Sequence, residues 1–266
     1  MTGETKHRFT QSFIGYVILV ALPCIHIGII QKIWTPNKPE VDKKTCTCEC
    51  FDTVYKGSYE YPPSKYKHVY FNATAETGKI WAITMLAVLS LYETIKYLTR
   101  LLSNRCLRRS MFILFASVVY SHYYSWWSYF GYYSDNFYQQ WYHQLFFTVT
   151  EVVSTVFVLN LCDIEVEMTP RKLLVILSIS CLHIIVSSGD QFIENVILQN
   201  WSGKHQFFRD IGFMFPDLLH FIVPLYELWR LSKLTNQPLR KIINKFEIII
   251  AVATVTATSI VVKIVL

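Results

Sequence analysis

Six ionisable side chains, Glu151, His183, Asp190, Glu194, Asp217 and His220, lie inside long apolar runs where lipid-spanning helices normally carry none. Charge at bilayer depth is costly, so such residues mark either an interior pairing or a functional site. Carboxylates and imidazoles lining one cavity could bind or relay protons, cations or a small polar solute, and neighbouring carboxylates could share a proton. The bland alternative is packing, in which these groups bond to one another, to Ser or Tyr, or to backbone, and hold helices together.

Spacing groups them further. His183, Ser187, Asp190 and Glu194 follow the 4-3-4 pattern of one helical stripe. Asp217 and His220 are i,i+3 neighbours, and Pro224 and Glu227 continue that side. With a hairpin turn centred near Lys204, Asp190 comes opposite Leu218, beside Asp217. A rise of about 1.5 Å per residue puts Glu151, Asp190 and Asp217 roughly 9–12 Å below one surface, and His122, His183 and His220 deeper. A zinc-dependent intramembrane hydrolase is a further alternative. Against it, no His-Glu-x-x-His motif occurs and no span holds a His-x-x-x-His pair. The sequence therefore assigns no catalytic residue, no metal ligand and no cofactor.

The elements that must position these residues follow from hydropathy. The chain has 266 residues, 52% of them apolar, and its charges crowd into short gaps between uncharged windows. A span needs about 20 mostly apolar residues. Seven such stretches fit, near residues 9–30, 80–102, 111–133, 143–163, 173–198, 211–231 and 246–266. The expected fold is all-α: one seven-span helix bundle over residues 1–266, whose sizeable loop covers 35–79. Residues 111–133 are rich in Tyr and Trp, as suits an interfacial aromatic belt.

Basic residues near span ends stay cytoplasmic. Lys6/Arg8, Arg105/Arg108/Arg109, Arg171/Lys172 and the Lys233–Lys245 segment share one side of a seven-span chain. That sets the amino terminus inside and the carboxyl terminus outside. Both glycosylation sequons, Asn72 and Asn200, then fall outside, as do Cys46, Cys48 and Cys50. Three clustered thiols are an odd number, leaving a local staple, an interchain disulfide joining a homo-oligomer, or metal binding. Cys106 sits among three arginines at the inner membrane edge, a setting for palmitoylation. The basic residues form short flanks and no continuous stripe, which argues against nucleic acid as a partner. The lipid bilayer is the expected surrounding, at the plasma membrane or along the secretory pathway. This order of spans is similar to that of insect odorant-receptor-type channels and of the progestin/adiponectin-receptor hydrolases, in topology alone. Residues 246–266 hold no His, where the latter group carries a histidine pair.

The reading that follows is a multi-pass protein with an intramembrane acidic and histidine site that binds or conducts an ion or small solute. A receptor or scaffold that uses the Tyr-rich stretch Phe51–Phe71 and the outer aromatic belt as its ligand surface is the first alternative, and the zinc hydrolase the second.

Overall fold

A computed structural model describes residues 75–134, 141–199 and 204–265, together with scattered helical positions between 13 and 32. Its helices are α1 (Ala75–Ser103), α2 (Arg109–Ser134), α3 (Trp141–Leu161), α4 (Pro170–Ser187), α5 (Lys204–Leu234), α6 (Leu239–Ile242) and α7 (Lys245–Val265). A π-helical segment, Ser188–Ile197, continues α4. Among the described residues no strand forms; the one β-type pairing is an isolated bridge between Leu107 and Asp163. Most of the expected first span, the 35–79 loop up to Ala75, Cys46, Cys48, Cys50, Asn72 and Asn200 lie outside the described residues.

Among the described residues, five helices are long and apolar enough to cross a membrane: α1, α3, α4, α5 and α7. Helix α2 has the length, at 26 residues, but its Tyr, Trp and Ser content makes it less apolar. Helix α3 exposes Val149, Val152, Val153 and Val156, while Ser154 and Thr155 are buried. A water-soluble helix would do the reverse, so this inversion fits an apolar surrounding. Pro216 and Pro224 lie inside α5. Each removes a backbone donor, which a membrane helix tolerates where neighbours satisfy the freed carbonyl.

The chain divides into two compact units, one of residues 1–93 and 126–141, the other of 94–125 and 142–266. In the first, the aromatic end of α2 has polar partners. Trp126 Nε1 donates to Thr84 Oγ1 at 3.2 Å and Trp141 Nε1 to Tyr133 OH at 3.2 Å. Tyr129 stacks on Tyr133, and Lys79 lies 5.2 Å from the centre of the Tyr133 ring.

The second unit has a core of Leu98, Leu101, Met111, Leu114, Val158, Leu161, Leu173, Ile176 and Leu228. One end is sealed by polar stitching. Arg108 donates to the carbonyls of Leu161, Ile164 (3.2 Å) and Val166 (3.1 Å). Its backbone N–H reaches Cys162 O at 2.7 Å, and Ile164 N reaches Cys106 O at 2.9 Å. A guanidinium supplies several donors in one plane, which suits the unpaired carbonyls where α3 ends.

Helices α2 and α5 approach closely at Gly212. A Cβ there would stand 2.5 Å from Tyr120 Cε1 and 2.9 Å from Cδ1. The ring is also packed against Phe213 and Tyr124, with centroids 5.9 and 6.1 Å away. Gly212→Ala should therefore destabilise the protein by about 1–3 kcal/mol through overpacking. Thermal unfolding in detergent would show a lower midpoint, and a Tyr120→Ala background should remove most of the effect. An unchanged midpoint would mean the two helices do not meet there.

Candidate functional site

Four helices of the second unit bring their buried polar groups together. Helix α3 supplies Thr150, Glu151 and Thr155, α4 supplies His183, α5 supplies Asp217 and His220, and α2 supplies His122. The i,i+3 spacing of Asp217 and His220 puts both on one face of α5. His183 is 2% exposed and His220 3%.

The centre is His183. Its Nδ1 lies 3.1 Å from Asp217 Oδ1 and 3.4 Å from Glu151 Oε2. Its Nε2 lies 2.7 Å from Thr150 Oγ1. That hydroxyl also sits 2.8 Å from Phe146 O and 3.1 Å from Phe147 O, to which it donates. A hydroxyl has one hydrogen. If it points at a carbonyl, the oxygen must accept from His183, so Nε2 carries a proton. The opposite assignment sets two lone pairs against each other at 2.8 Å. Phe147 packs on the imidazole, with ring centres 5.0 Å apart.

With Nε2–H committed to Thr150, Nδ1 faces two carboxylates. A neutral ring would aim a lone pair at two acceptors, which repel it. A positive charge must therefore lie between these three atoms, as a proton or as another cation. Two carboxylates and a neutral imidazole carry a formal charge of −2. One proton leaves −1, a net buried charge, which is costly unless compensated.

His220 adds a second open valence. Its Nδ1 lies 3.0 Å from Pro216 O, one turn earlier on the same helix, so Nδ1–H donates to that carbonyl. The other nitrogen, Nε2, then carries a lone pair, and it is buried with no hydrogen-bond partner. Glu151 and Asp217 both lie within electrostatic reach of His220. His122 Nε2 pairs with Thr155 Oγ1 at 2.8 Å and also lies within reach of Glu151.

Of the six residues expected to form the site, Glu151, His183 and Asp217 meet directly and His220 stands beside them. Glu194 does not join; its side chain is exposed. The cause is the π-helical segment, which starts at Ser188. A wider π turn advances less about the axis than the ~100° per residue of an α-helix. By Glu194 the stripe from His183 has lagged by roughly a quarter to a third of a turn. Asp190 falls on the same segment, and its side chain lies outside the described residues. The hairpin register also differs from the expected one. Lys204 is the first residue of α5, not the centre of the turn, so the chain reverses between Ile197 and Lys204. That earlier reversal sets His183, rather than Asp190, against Asp217.

Asp210 is a further buried acid that the apolar runs do not single out. Asp210 accepts from Asn195 Nδ2 at 2.7 Å and from Arg209 Nε at 2.7 Å. It lies one residue before the sixth span expected from residue 211, a position that reads as loop in the sequence. Its i,i+7 distance from Asp217 was the available signal. Glu227, 2% exposed, pairs with Arg230 at 3.5 Å.

Cys106 is half-buried, and its thiol faces Asn104 O at 3.4 Å and Glu165 Oε1 at 3.9 Å. Partial burial, followed by the Glu165 and Asp163 carboxylates, holds this thiol above its ordinary pKa.

Two outcomes test this geometry. Thr150→Val leaves the His183 Nε2–H buried without an acceptor and should cost about 1–3 kcal/mol in thermal unfolding, with Thr150→Ser close to wild type. Cys106 should react slowly with a maleimide at pH 7.5, because little thiolate is present below its raised pKa. The rate should climb about tenfold per pH unit, and Glu165→Gln should speed it at fixed pH.

No curated protein and no solved structure shows significant similarity to the chain. Residues 8–265 match the profile of DUF8801, a family of unknown function, and the chain belongs to that family.

Proposed function

We propose that this chain is a multi-pass membrane protein that binds a cation inside the bilayer at Glu151, His183 and Asp217 and moves it across, as a channel or carrier does. The observation that supports this reading is the His183 Nδ1 facing two carboxylates at 3.1 and 3.4 Å, an arrangement that a proton or another cation between them makes attractive. Its position, on three helices long and apolar enough to span a membrane, supports reading the site as an intramembrane one. Ionisable groups there mark ion pathways more often than surface groups do. Each carboxylate side chain keeps 13% exposure, which leaves an edge through which an ion can exchange.

In this reading the chain makes seven spans, with the amino terminus cytoplasmic and the carboxyl terminus outside, at the plasma membrane or along the secretory pathway. Asn72 and Asn200 carry glycans on the outer face. The basic residues Arg105, Arg108, Arg109, Arg171 and Lys172 support that orientation.

Reconstitution into proteoliposomes tests it. Wild-type protein should carry sodium, potassium, proton or divalent flux down an imposed gradient. Asp217→Asn and Glu151→Gln should each cut that flux at least tenfold while reaching the membrane and being glycosylated as usual. Glu167→Gln, in the exposed turn before α4, should leave it unchanged. Wild-type protein that moves none of these ions, or correctly delivered variants with full flux, would overturn the proposal.

A further inference from the structure

We infer that the cation is a divalent transition metal of the zinc class, held by His183 Nδ1 and by one carboxylate oxygen each from Glu151 and Asp217, with a fourth position open toward His220. This rests on the preceding reading of the same three residues as a cation site and names the ion.

The donor atoms already have metal-binding spacing. One ligand atom from each of Glu151, His183 and Asp217 lies within 4.8 Å of the others. Zinc bonds nitrogen and carboxylate oxygen at about 2.0–2.1 Å, so the edge of a tetrahedral site is about 3.3 Å. The two distances from His183 Nδ1 are 3.1 and 3.4 Å. Both edges that run from the imidazole nitrogen therefore match that length, and the edge between the two carboxylates is within 4.8 Å. The imidazole selects against calcium and magnesium, which prefer all-oxygen surroundings.

The supporting bonds are those a ligand histidine needs. Metal-bound histidines donate their other ring N–H to a fixed acceptor, which sets tautomer and orientation. His183 Nε2–H does so to Thr150 Oγ1, itself tied to Phe146 O. Charge points the same way. A divalent ion brings two carboxylates and a neutral imidazole to zero, as two protons would, and does so with a single occupant between the His183 nitrogen and both carboxylates.

His220 is the independent observation. It is nine-tenths buried, its Nδ1–H is spent on Pro216 O, and its Nε2 lone pair has no partner. Because Nδ1 is tied back to its own helix, Nε2 points away from that backbone. Asp217 lies one turn away on the same face. A water on the fourth metal position would supply the proton that this lone pair lacks. Three protein ligands with one open position is the arrangement of zinc sites that exchange a ligand.

The test uses full-length protein in detergent, loaded with Zn2+, dialysed, and measured for metal by mass spectrometry. Wild type should retain one zinc per chain, and so should the triple variant Cys46→Ser, Cys48→Ser, Cys50→Ser. Thr150→Val should weaken retention by roughly 10–100-fold, as loss of a supporting partner does, and His183→Ala should weaken it more. Co2+ in place of Zn2+ should give the intense visible absorption of four-coordinate cobalt, a readout that needs no variant. Wild type that retains no zinc, zinc lost only in the cysteine variant, or a weak six-coordinate cobalt spectrum would each overturn the inference. Sodium or proton flux lost in Asp217→Asn, with no zinc bound, would remove the metal and keep the cation pathway. Zinc bound at this site without flux of any ion would keep the metal and remove transport.

Discussion

One nitrogen constrains the centre of this bundle. His183 Nδ1 looks at two carboxylate oxygens, and no arrangement of a neutral histidine and two ionised acids makes that contact attractive. The surroundings rule out a simple escape by flipping the ring. Thr150 holds the opposite nitrogen, and Phe147 packs on the face of the imidazole. In an apolar interior, charges interact far more strongly than in water. The positive charge that settles this contact is therefore an integral part of the fold.

The scaffold concentrates that demand by spending its other polar groups elsewhere. Arg108 ties off the carbonyls at the end of α3, and the Leu107–Asp163 bridge joins the two loops at that end. Gly212 lets α5 approach Tyr120 of α2, two residues from His122. Outward Val152, Val153 and Val156 on α3 leave Ser154 and Thr155 on the inner side, one helical turn after the threonine and the acid that serve His183. Apolar surface outside and polar groups inside are consequences of one surrounding medium, which also makes an unsettled charge at the centre expensive.

Much of this was legible in the sequence, and the misses have physical causes. Apolar run length revealed the helices, because a span must satisfy its own backbone. Glu151, His183, Asp217 and His220 stood out because ionisable residues are conspicuous in such runs. Their pairing was less legible. Placing the turn at Lys204 shifted the hairpin register, and His183 took the position expected of Asp190. Glu194 was put on the stripe by a period of 3.6 that the π-helical segment does not keep. Thr150 gave no signal, since threonine is common in apolar helices and usually bonds to its own backbone, as it also does here. Tautomers belong to the three-dimensional network and have no sequence signature at all.

Buried acids need not be machinery, and this bundle contains the comparison that separates the two uses. Asp210, with a side chain 3% exposed against 13% for Glu151 and Asp217, is buried more deeply than the central acids, and its set is closed: one oxygen takes the Arg209 guanidinium and the other the Asn195 amide. One anion, one cation and a neutral donor leave nothing unpaired, which is what packing requires. The Glu151–His183–Asp217 set has more acceptors than protons, and next to it His220 carries a lone pair without a donor. Selection for packing alone would favour closing such a set, because each open valence costs stability without improving the fit. Closure was available on the same helix and was used at Asp210. An open set retained two turns along the same helix is better explained by a ligand that completes it than by helix packing.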